Sequence, residues 1–372
     1  MNHNLSQMVL HNKRDKQQEY TLHLFEKCNL SCNFCWQDHT AYVGIDTVRQ
    51  KTSILCEMLD EDPNSDFVIN IMGGEIFSDD VFSDKLWGDY FALCWHTHQH
   101  VQTLGKKIAF NFVSNLVTNK VEEVLSLLEA LRKEGLTATL TTSYDAKGRF
   151  NKIQFEKFKE NIEKFRSEIT CISMLLTKPV IKQLIEGKDD YFKYLYDQGF
   201  YIYFDYYSPS DDHLTMGPSD KDLLKAFYFL VDNYPNVHPI KEWITHDTNY
   251  MSCRSSKLIN PDGTKCMCGN LLVENKSVVT FFKSKIQKAN NDDIEDAFLN
   301  RWDCLSCEYF NRCTLGCFVQ HDFMKRGQLE ECPFKLTFDK ITKGKEVNID
   351  SLKQHFGTQE AGRPESREPA HG

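Results

Sequence analysis

YTLHLFEKCNLSCNFC, residues 20–35, joins a continuous β-prone run to a loop carrying three cysteines. Cys28, Cys32 and Cys35 stand in C-x3-C-x2-C spacing, with the aromatic Phe34 directly before the last of them. Three thiolates on one loop can hold three irons of a cubane cluster. The fourth iron then lacks a protein ligand and takes an exogenous chelate, which turns an electron-transfer group into a reaction centre. Structural zinc generally takes four ligands in paired spacing, so zinc is the minor reading of this loop.

Outward from that loop, six apolar strand-like runs alternate with amphipathic helix-like runs up to about residue 235. The strands are drawn at Tyr20–Glu26, Phe67–Met72, Ile108–Val113, Thr137–Ser143, Thr170–Leu176 and Tyr201–Tyr206, rich in β-branched and aromatic residues. Their continuity predicts strands buried on both faces. Val121, Val124, Leu125, Leu128 and Leu131 share one face of a helix, and Phe155, Phe158, Ile162 and Phe165 one face of the next. Alternation of this kind predicts parallel β/α units of the α/β class. Right-handed crossovers curl six of them into a partial (β/α)6 TIM-like barrel, with the loops at the strands' carboxyl ends as the functional rim.

The chain has 372 residues, 44 Lys+Arg against 53 Asp+Glu, and a formal charge of −9. That balance argues against a nucleic-acid partner, because phosphate neutralisation needs clustered basic residues. No stretch approaches the ~20 apolar residues of a membrane span, and the start lacks a secretory apolar region, so a cytoplasmic location is expected. Fourteen cysteines in such a chain point to metal binding or thiol chemistry. Eight of the 14 lie beyond residue 245, among short segments and turn signals such as Asn260-Pro261-Asp262-Gly263. The expected organisation is an N-terminal segment 1–19, a partial barrel 20–240, a small metal-held domain 241–340 and a polar C-terminal segment 341–372. The end of that last segment, TQEAGRPESREPAHG, has no apolar residue large enough to anchor it.

The cysteine loop at a strand's carboxyl end resembles that of the radical S-adenosylmethionine (AdoMet) superfamily. Met72-Gly73-Gly74-Glu75, after the second strand, resembles the family's Gly-Gly-Glu motif, which binds the AdoMet amino group. Ser143-Tyr144-Asp145, after the fourth, resembles the Ser-x-Asp segment that meets the ribose. Arg149 is a candidate partner for the AdoMet carboxylate or a solvated loop charge; Asn115 either reaches the cofactor or caps the following helix. The downstream pattern of Cys253, Cys268, Cys304-x2-Cys307-x5-Cys313-x3-Cys317 and Cys332 resembles the seven-cysteine SPASM extension. By that resemblance Cys304, Cys307, Cys313 and Cys332 hold an outer auxiliary cluster, and Cys253, Cys268 and Cys317 an inner one that is a ligand short. Asp247, His246, Cys266 or the substrate are candidates for the vacancy. Cys56, Cys94 and Cys171 read as small buried hydrophobes.

The resemblance implies three [4Fe-4S] clusters, AdoMet, and a 5′-deoxyadenosyl radical that abstracts hydrogen from the substrate. It points first to a maturase that crosslinks a ribosomally made precursor peptide through a C–C, C–O or thioether bond. An electron donor such as flavodoxin or ferredoxin is expected, and with 27 residues before Cys28, either a separate leader-binding protein or direct recognition of the peptide. The alternatives are a formylglycine-generating sulfatase maturase and a small-molecule dehydrogenase or epimerase. Against the sulfatase reading stand Gly269, where those maturases carry an Asp base, and the missing fourth inner-cluster cysteine. Asp205, at the end of the sixth strand, is the candidate substrate-side acid or base, or a strand-end cap.

Overall fold

The computed structural model describes residues 18–35, 37, 39, 46–145, 147–207, 216–246, 257–266, 299–313 and 328–355. Six strands run in sequence: β1 (Gln18–His23), β2 (Asp66–Met72), β3 (Lys107–Val113), β4 (Thr137–Ser143), β5 (Ile169–Leu176) and β6 (Ile202–Tyr206). Helices α1 (Asp46–Glu61), α2 (Asp84–Thr103), α3 (Val121–Lys133) and α4 (Lys152–Lys164) fill the first four crossovers, and the pair α5 (Lys178–Ile185) and α6 (Asp190–Asp197) the fifth. Each strand pairs in parallel with its sequence neighbour, so the sheet curls in one direction as a partial barrel.

The helix starts are written locally. The Asn151 side chain accepts from the Gln154 N–H while Gln154 reaches back, a reciprocal cap that opens α4. Ser83 and Thr177 cap α2 and α5 through their hydroxyls. Val121, Val124, Leu127, Leu128 and Leu131 bury one face of α3, and Phe158, Ile162 and Phe165 one face of α4 and its end. All pack on the outer face of the sheet within one apolar core.

The inner face corrects the expectation of strands buried on both sides. Along β2, Phe67, Ile69 and Ile71 are fully buried while Val68, Asn70 and Met72 are half-buried, and β3 and β4 repeat the alternation. On β6 the inward residues Tyr203 and Asp205 are exposed. A half-open barrel explains this: inward side chains of one strand have no closing strand opposite, so polar groups are tolerated there. Asn111 Nδ2 donates to Asn70 Oδ1 at 2.9 Å, and the Thr141 hydroxyl donates to Asn111 Oδ1 at 3.0 Å. Cys171 belongs to this polar inner face, its sulfur 3.6 Å from Thr141 Oγ1, so of the three cysteines expected as buried hydrophobes only Cys94 is fully enclosed.

The sheet also extends beyond six strands. β7 (Lys257–Ile259) pairs in parallel with the outer edge of β1, and β8 (Lys265–Cys266) turns back antiparallel through Pro261-Asp262-Gly263. Gly263 takes φ +84° there, a conformation open to glycine. The fully buried Lys51 of α1 donates to the carbonyls of Leu24 and Pro261, both at 2.8 Å, and Lys257 pairs with Asp62 at 2.5 Å. After β6, α7 (Asp220–Asn233) packs against α9 (Pro333–Lys343), with α8 (Ile240–Thr245) beside it. Among the described residues no helix is long and apolar enough to cross a membrane. The polar end, 356–372, lies outside the described residues.

Candidate functional site

The carboxyl ends of β1 to β6 surround an open-mouthed cavity of about 330 Å³. Cys28, Cys32 and Cys35 line it from the β1 loop, Gly73 and Gly74 from the β2 end, Asn115 from β3, Ser143 and Arg149 from β4, and Asp205 from β6. Candidate residues from five separate strand ends are thus brought together on one cavity. Phe34 lines the same wall, 8% exposed.

The cysteine loop is held from several sides. Cys28 N–H donates to the His39 carbonyl and Asn33 N–H to the Gly148 carbonyl, at 3.1 and 2.8 Å. Asn115 Nδ2 donates to Asn29 Oδ1 at 2.9 Å and lies 3.8 Å from Cys28 Sγ, while Asn29 Nδ2 donates to the Val117 carbonyl. Asn115 therefore orients the loop as well as its own turn, where its Oδ1 accepts from Val117 N–H. Burial pushes the Cys28 thiol up to about 12 and raises Cys32, against which Arg149 pulls Cys32 down.

Gly73 and Gly74 are required by the approach of two backbone segments. A Cβ on Gly74 would stand 2.1 Å from the Lys27 carbonyl oxygen and 2.2 Å from that of Glu26. Through this contact Gly74 N–H donates to Phe25 at 2.7 Å and Glu75 N–H to Lys27 at 2.9 Å, fixing the stem of the cysteine loop. The Glu75 carboxylate is buried and engaged by this chain: it accepts from Phe77 N–H, the Ser114 hydroxyl and Asn115 N–H at 3.0, 2.7 and 2.6 Å. Burial outweighs those bonds and pushes its pKa up to about 7. Its position ties the β2 and β3 ends together behind the cavity wall.

Arg149 is no solvated loop charge. Its side chain is 14% exposed, sits 2.7 Å from the wholly buried Asp145 carboxylate and lies over the Phe34 ring at 5.1 Å. Asp145 in turn accepts from Leu175 N–H at 2.8 Å, so it orients Arg149 from beneath. Burial raises the Asp145 carboxyl and Arg149 opposes that rise. Asp205 is reachable from the cavity mouth yet walled by protein; this desolvation raises its pKa, and Asp145 adds to the rise. One of its oxygens accepts from Tyr206 N–H at 2.8 Å, the strand-end cap foreseen for it. Further lining residues carried no motif: Gln37, His39, Ser114, Ser173, Leu175 and Tyr206. Ser173 had the one available signal, its place opposite Ser143 in the sheet register.

Three thiols and a flanking guanidinium give this cavity a donor set suited to an anionic iron–sulfur group with a polar organic ligand. Among the described residues no three His, Cys, Asp or Glu converge as they would on one metal ion. That geometry tests a single ion; ligand sulfurs around a polynuclear cluster stand farther apart.

In the C-terminal part, Cys304 and Cys313 are buried and Cys307 N–H donates to the Cys304 carbonyl at 3.1 Å. Cys332, directly before α9, lies within electrostatic reach of both Cys304 and Cys307, and burial pushes Cys304 and Cys332 up to about 12. His246 Nε2 is 2.9 Å from an Arg312 nitrogen. Cys253, Cys268, Cys317 and Asp247 lie outside the described residues.

No protein-family model matches the chain. No curated protein sequence matches it. Among solved structures, native anSMEcpe with bound AdoMet aligns with a TM-score of 0.58 and 15% identity, covering 88% of this chain and 97% of that one. The same protein with bound AdoMet and Cp18Cys peptide aligns at 0.57, again with 15% identity, over 88% and 96% of the two chains. SuiB from Streptococcus suis aligns at 0.48 with 17% identity over 84% of this chain and 76% of that one. At these identities the finding is one of fold: the chain shares the architecture of AdoMet-bound anSMEcpe along most of its length.

Proposed function

We propose that this chain is a radical AdoMet enzyme that matures a peptide. The observation that carries the reading is the convergence of Cys28, Cys32 and Cys35 with Gly73, Gly74, Ser143 and Arg149 on one cavity. Cys28, Cys32 and Cys35 would hold the cluster, and the cluster with AdoMet would supply hydrogen-atom abstraction. Gly73 and Gly74 keep the β2 end against the loop stem, Asn115 orients the loop, and Ser143 offers a hydroxyl to a polar ligand. Arg149, held by Asp145, offers a fixed positive charge to a carboxylate beside Phe34. Asp205, opposite the cysteines, is assigned to the substrate side as proton acceptor or hydrogen-bond acceptor.

Cys304, Cys307, Cys313 and Cys332 are proposed as ligands of an outer auxiliary cluster, with Cys253, Cys268 and Cys317 on an inner one. Support for the outer set is the grouping of Cys304, Cys307 and Cys332 at the start of α9. The peptide substrate rests on motif resemblance and on the fold shared with a protein solved with AdoMet and a peptide. The proposed product is a crosslinked precursor peptide. Delivery would come through a leader-binding partner or by direct recognition, with electrons from a flavodoxin- or ferredoxin-type donor.

Two measurements test this. The iron-loaded, reduced chain should cleave AdoMet to 5′-deoxyadenosine; failure to do so with clusters intact and substrate offered overturns the enzyme assignment. Anaerobic co-expression with the small open reading frames beside its gene, followed by mass spectrometry, should show one peptide lighter by a hydrogen pair. Cleavage without any altered peptide moves the substrate to another class.

A further inference from the structure

From the cavity toward the amino ends of the strands, the inner face of the sheet continues as a polar hollow. A directed set of hydrogen bonds crosses it. The Thr141 hydroxyl donates to Asn111 Oδ1 at 3.0 Å and Asn111 Nδ2 to Asn70 Oδ1 at 2.9 Å, which leaves the Asn70 amide nitrogen for its bond to the Glu19 carboxylate. In a flat sheet β1 and β6 would stand about 24 Å apart, at about 4.8 Å per strand. Yet Glu19 lies within electrostatic reach of Cys171 and Tyr203, and Tyr203 within reach of Asp205. The curl therefore turns the Glu19 carboxylate across the hollow toward the side chains of β6. Glu19 and Asp205 are both exposed, and Tyr203 is 36% exposed with its ring stacked on that of His238, centroids 4.1 Å apart. Among the described inward positions from Glu19 to Asp205 none is Lys or Arg. His238, within electrostatic reach of Asp205, has its Nδ1 3.1 Å from Glu242, and Arg149 at the cavity wall is held by Asp145. Desolvation raises both the Glu19 and the Asp205 carboxyl, the mark of anions walled by protein without a matching cation.

We propose that this hollow takes a cationic side chain, lysine or arginine, of the peptide substrate, with Glu19 as the carboxylate that selects it, Asp205 beside its path and the Tyr203 ring as the surface it lies against. Continuity with the cavity makes the peptide the source of that cation. Ser143 and Ser173 line the cavity, and Ser173 is the cross-strand neighbour of both Ser143 and Tyr203, so a side chain reaching from the cavity toward the amino ends passes directly over Tyr203. The inference rests on the function proposed above and deepens it by naming the class of side chain the substrate presents.

The test uses anaerobically reconstituted, AdoMet-loaded full-length protein and three probes, the N-acetylated tripeptide amides Ala-Lys-Ala, Ala-norleucine-Ala and Ala-Glu-Ala, with binding read by equilibrium dialysis. The wild type should hold the lysine probe about tenfold more tightly than the norleucine probe of similar length. Glu19→Gln, which keeps the side chain's shape and an acceptor for Asn70, should remove most of that preference, and Glu19→Lys should turn it toward the glutamate probe. Glu129→Gln makes the same change of charge on the exposed side of α3 and should leave the preference as it is. A reversal of preference is a readout that a merely structural Glu19 would not give. Should Glu19→Lys fail to fold, Glu19→Gln decides alone. The proposal is overturned if an AdoMet-binding wild type shows no preference for the lysine probe or binds none of the three, or if Glu19→Gln keeps the full preference. A wild-type chain that binds neither iron at the cysteine loop nor AdoMet refutes the function itself, an outcome distinct from a hollow indifferent to charge.

Discussion

Replacing Gly74 by alanine should damage the site through the backbone alone. The added Cβ would lie 2.1 Å from Lys27 O and 2.3 Å from Lys27 C, so the β1 exit must retreat by roughly 0.9 Å to reach even a tight contact. That retreat stretches two hydrogen bonds, from Gly74 N–H to Phe25 and from Glu75 N–H to Lys27. Each bond contributes about 0.5–1.5 kcal/mol, and overpacking against unyielding backbone adds about 1–3 kcal/mol. The expected loss is therefore about 2–6 kcal/mol in urea unfolding, with less iron taken up at the proposed N-terminal cluster because the stem at Lys27 adjoins Cys28. Gly88 in α2 is the internal control: nothing lies within 4 Å of a Cβ there, and Gly88→Ala should gain about 0.5–1 kcal/mol. A Gly74→Ala protein within 1 kcal/mol of the wild type, with full iron content, would falsify the close-approach argument.

Removing Arg149 as Arg149→Met leaves the Asp145 carboxylate buried without its cation and should cost about 3–5 kcal/mol. Adding Asp145→Asn should restore much of that stability without restoring AdoMet affinity, and an equally unstable double variant would show that the pair is not coupled. Burial holds the Lys51 amine down to about 7 against 10.5 in the open chain. The unfolded chain thus binds more protons between those values, so this group makes stability rise with pH across that window and leaves it lowest below it. In Lys51→Met that rise should be missing, so the wild-type-minus-variant stability difference should climb with pH between about 7 and 10.5, and the 257–266 hairpin should loosen in hydrogen exchange; a difference that does not change with pH would contradict the assignment. Asp205→Asn should keep AdoMet cleavage while lowering peptide product about 100-fold or more, and product formation within threefold of the wild type would remove Asp205 from the substrate side.

Much of this fold is legible in local sequence because each β/α unit carries its own signal. Runs such as DFVINIM and TATLTTS are β-prone, and Asn151 and Ser83 mark helix starts within three residues. The same runs also held the clue that the inner face is polar. Thr137, Thr139, Thr141 and Ser143 fall at every second position of β4, a period that continuity of β-prone residues masked, and Asn70 and Asn111 are isolated polar residues within β2 and β3. The strand Lys257–Ile259 escaped because three residues carry no period and its partner Tyr20 lies over two hundred residues earlier. At the site, cysteine spacing exposed the loop, whereas the partners of Glu75 at Ser114 and Asn115 came from another loop that only the sheet brings near.

The pairing of β7 with β1 sets an order of events during synthesis. β1, which carries the cysteine loop, has one neighbour in β2 but gains its second only when Lys257–Ile259 has been made. The carbonyl of Pro261 that receives Lys51, and the Lys257 ammonium that meets Asp62, arrive at the same late stage. Contacts so distant along the chain carry a large closure entropy and form slowly. A ribosome-bound chain ending before residue 257 therefore presents its three cysteines on an edge strand whose open side is unpaired. The loop proposed to take iron then stands on a foundation still one strand short.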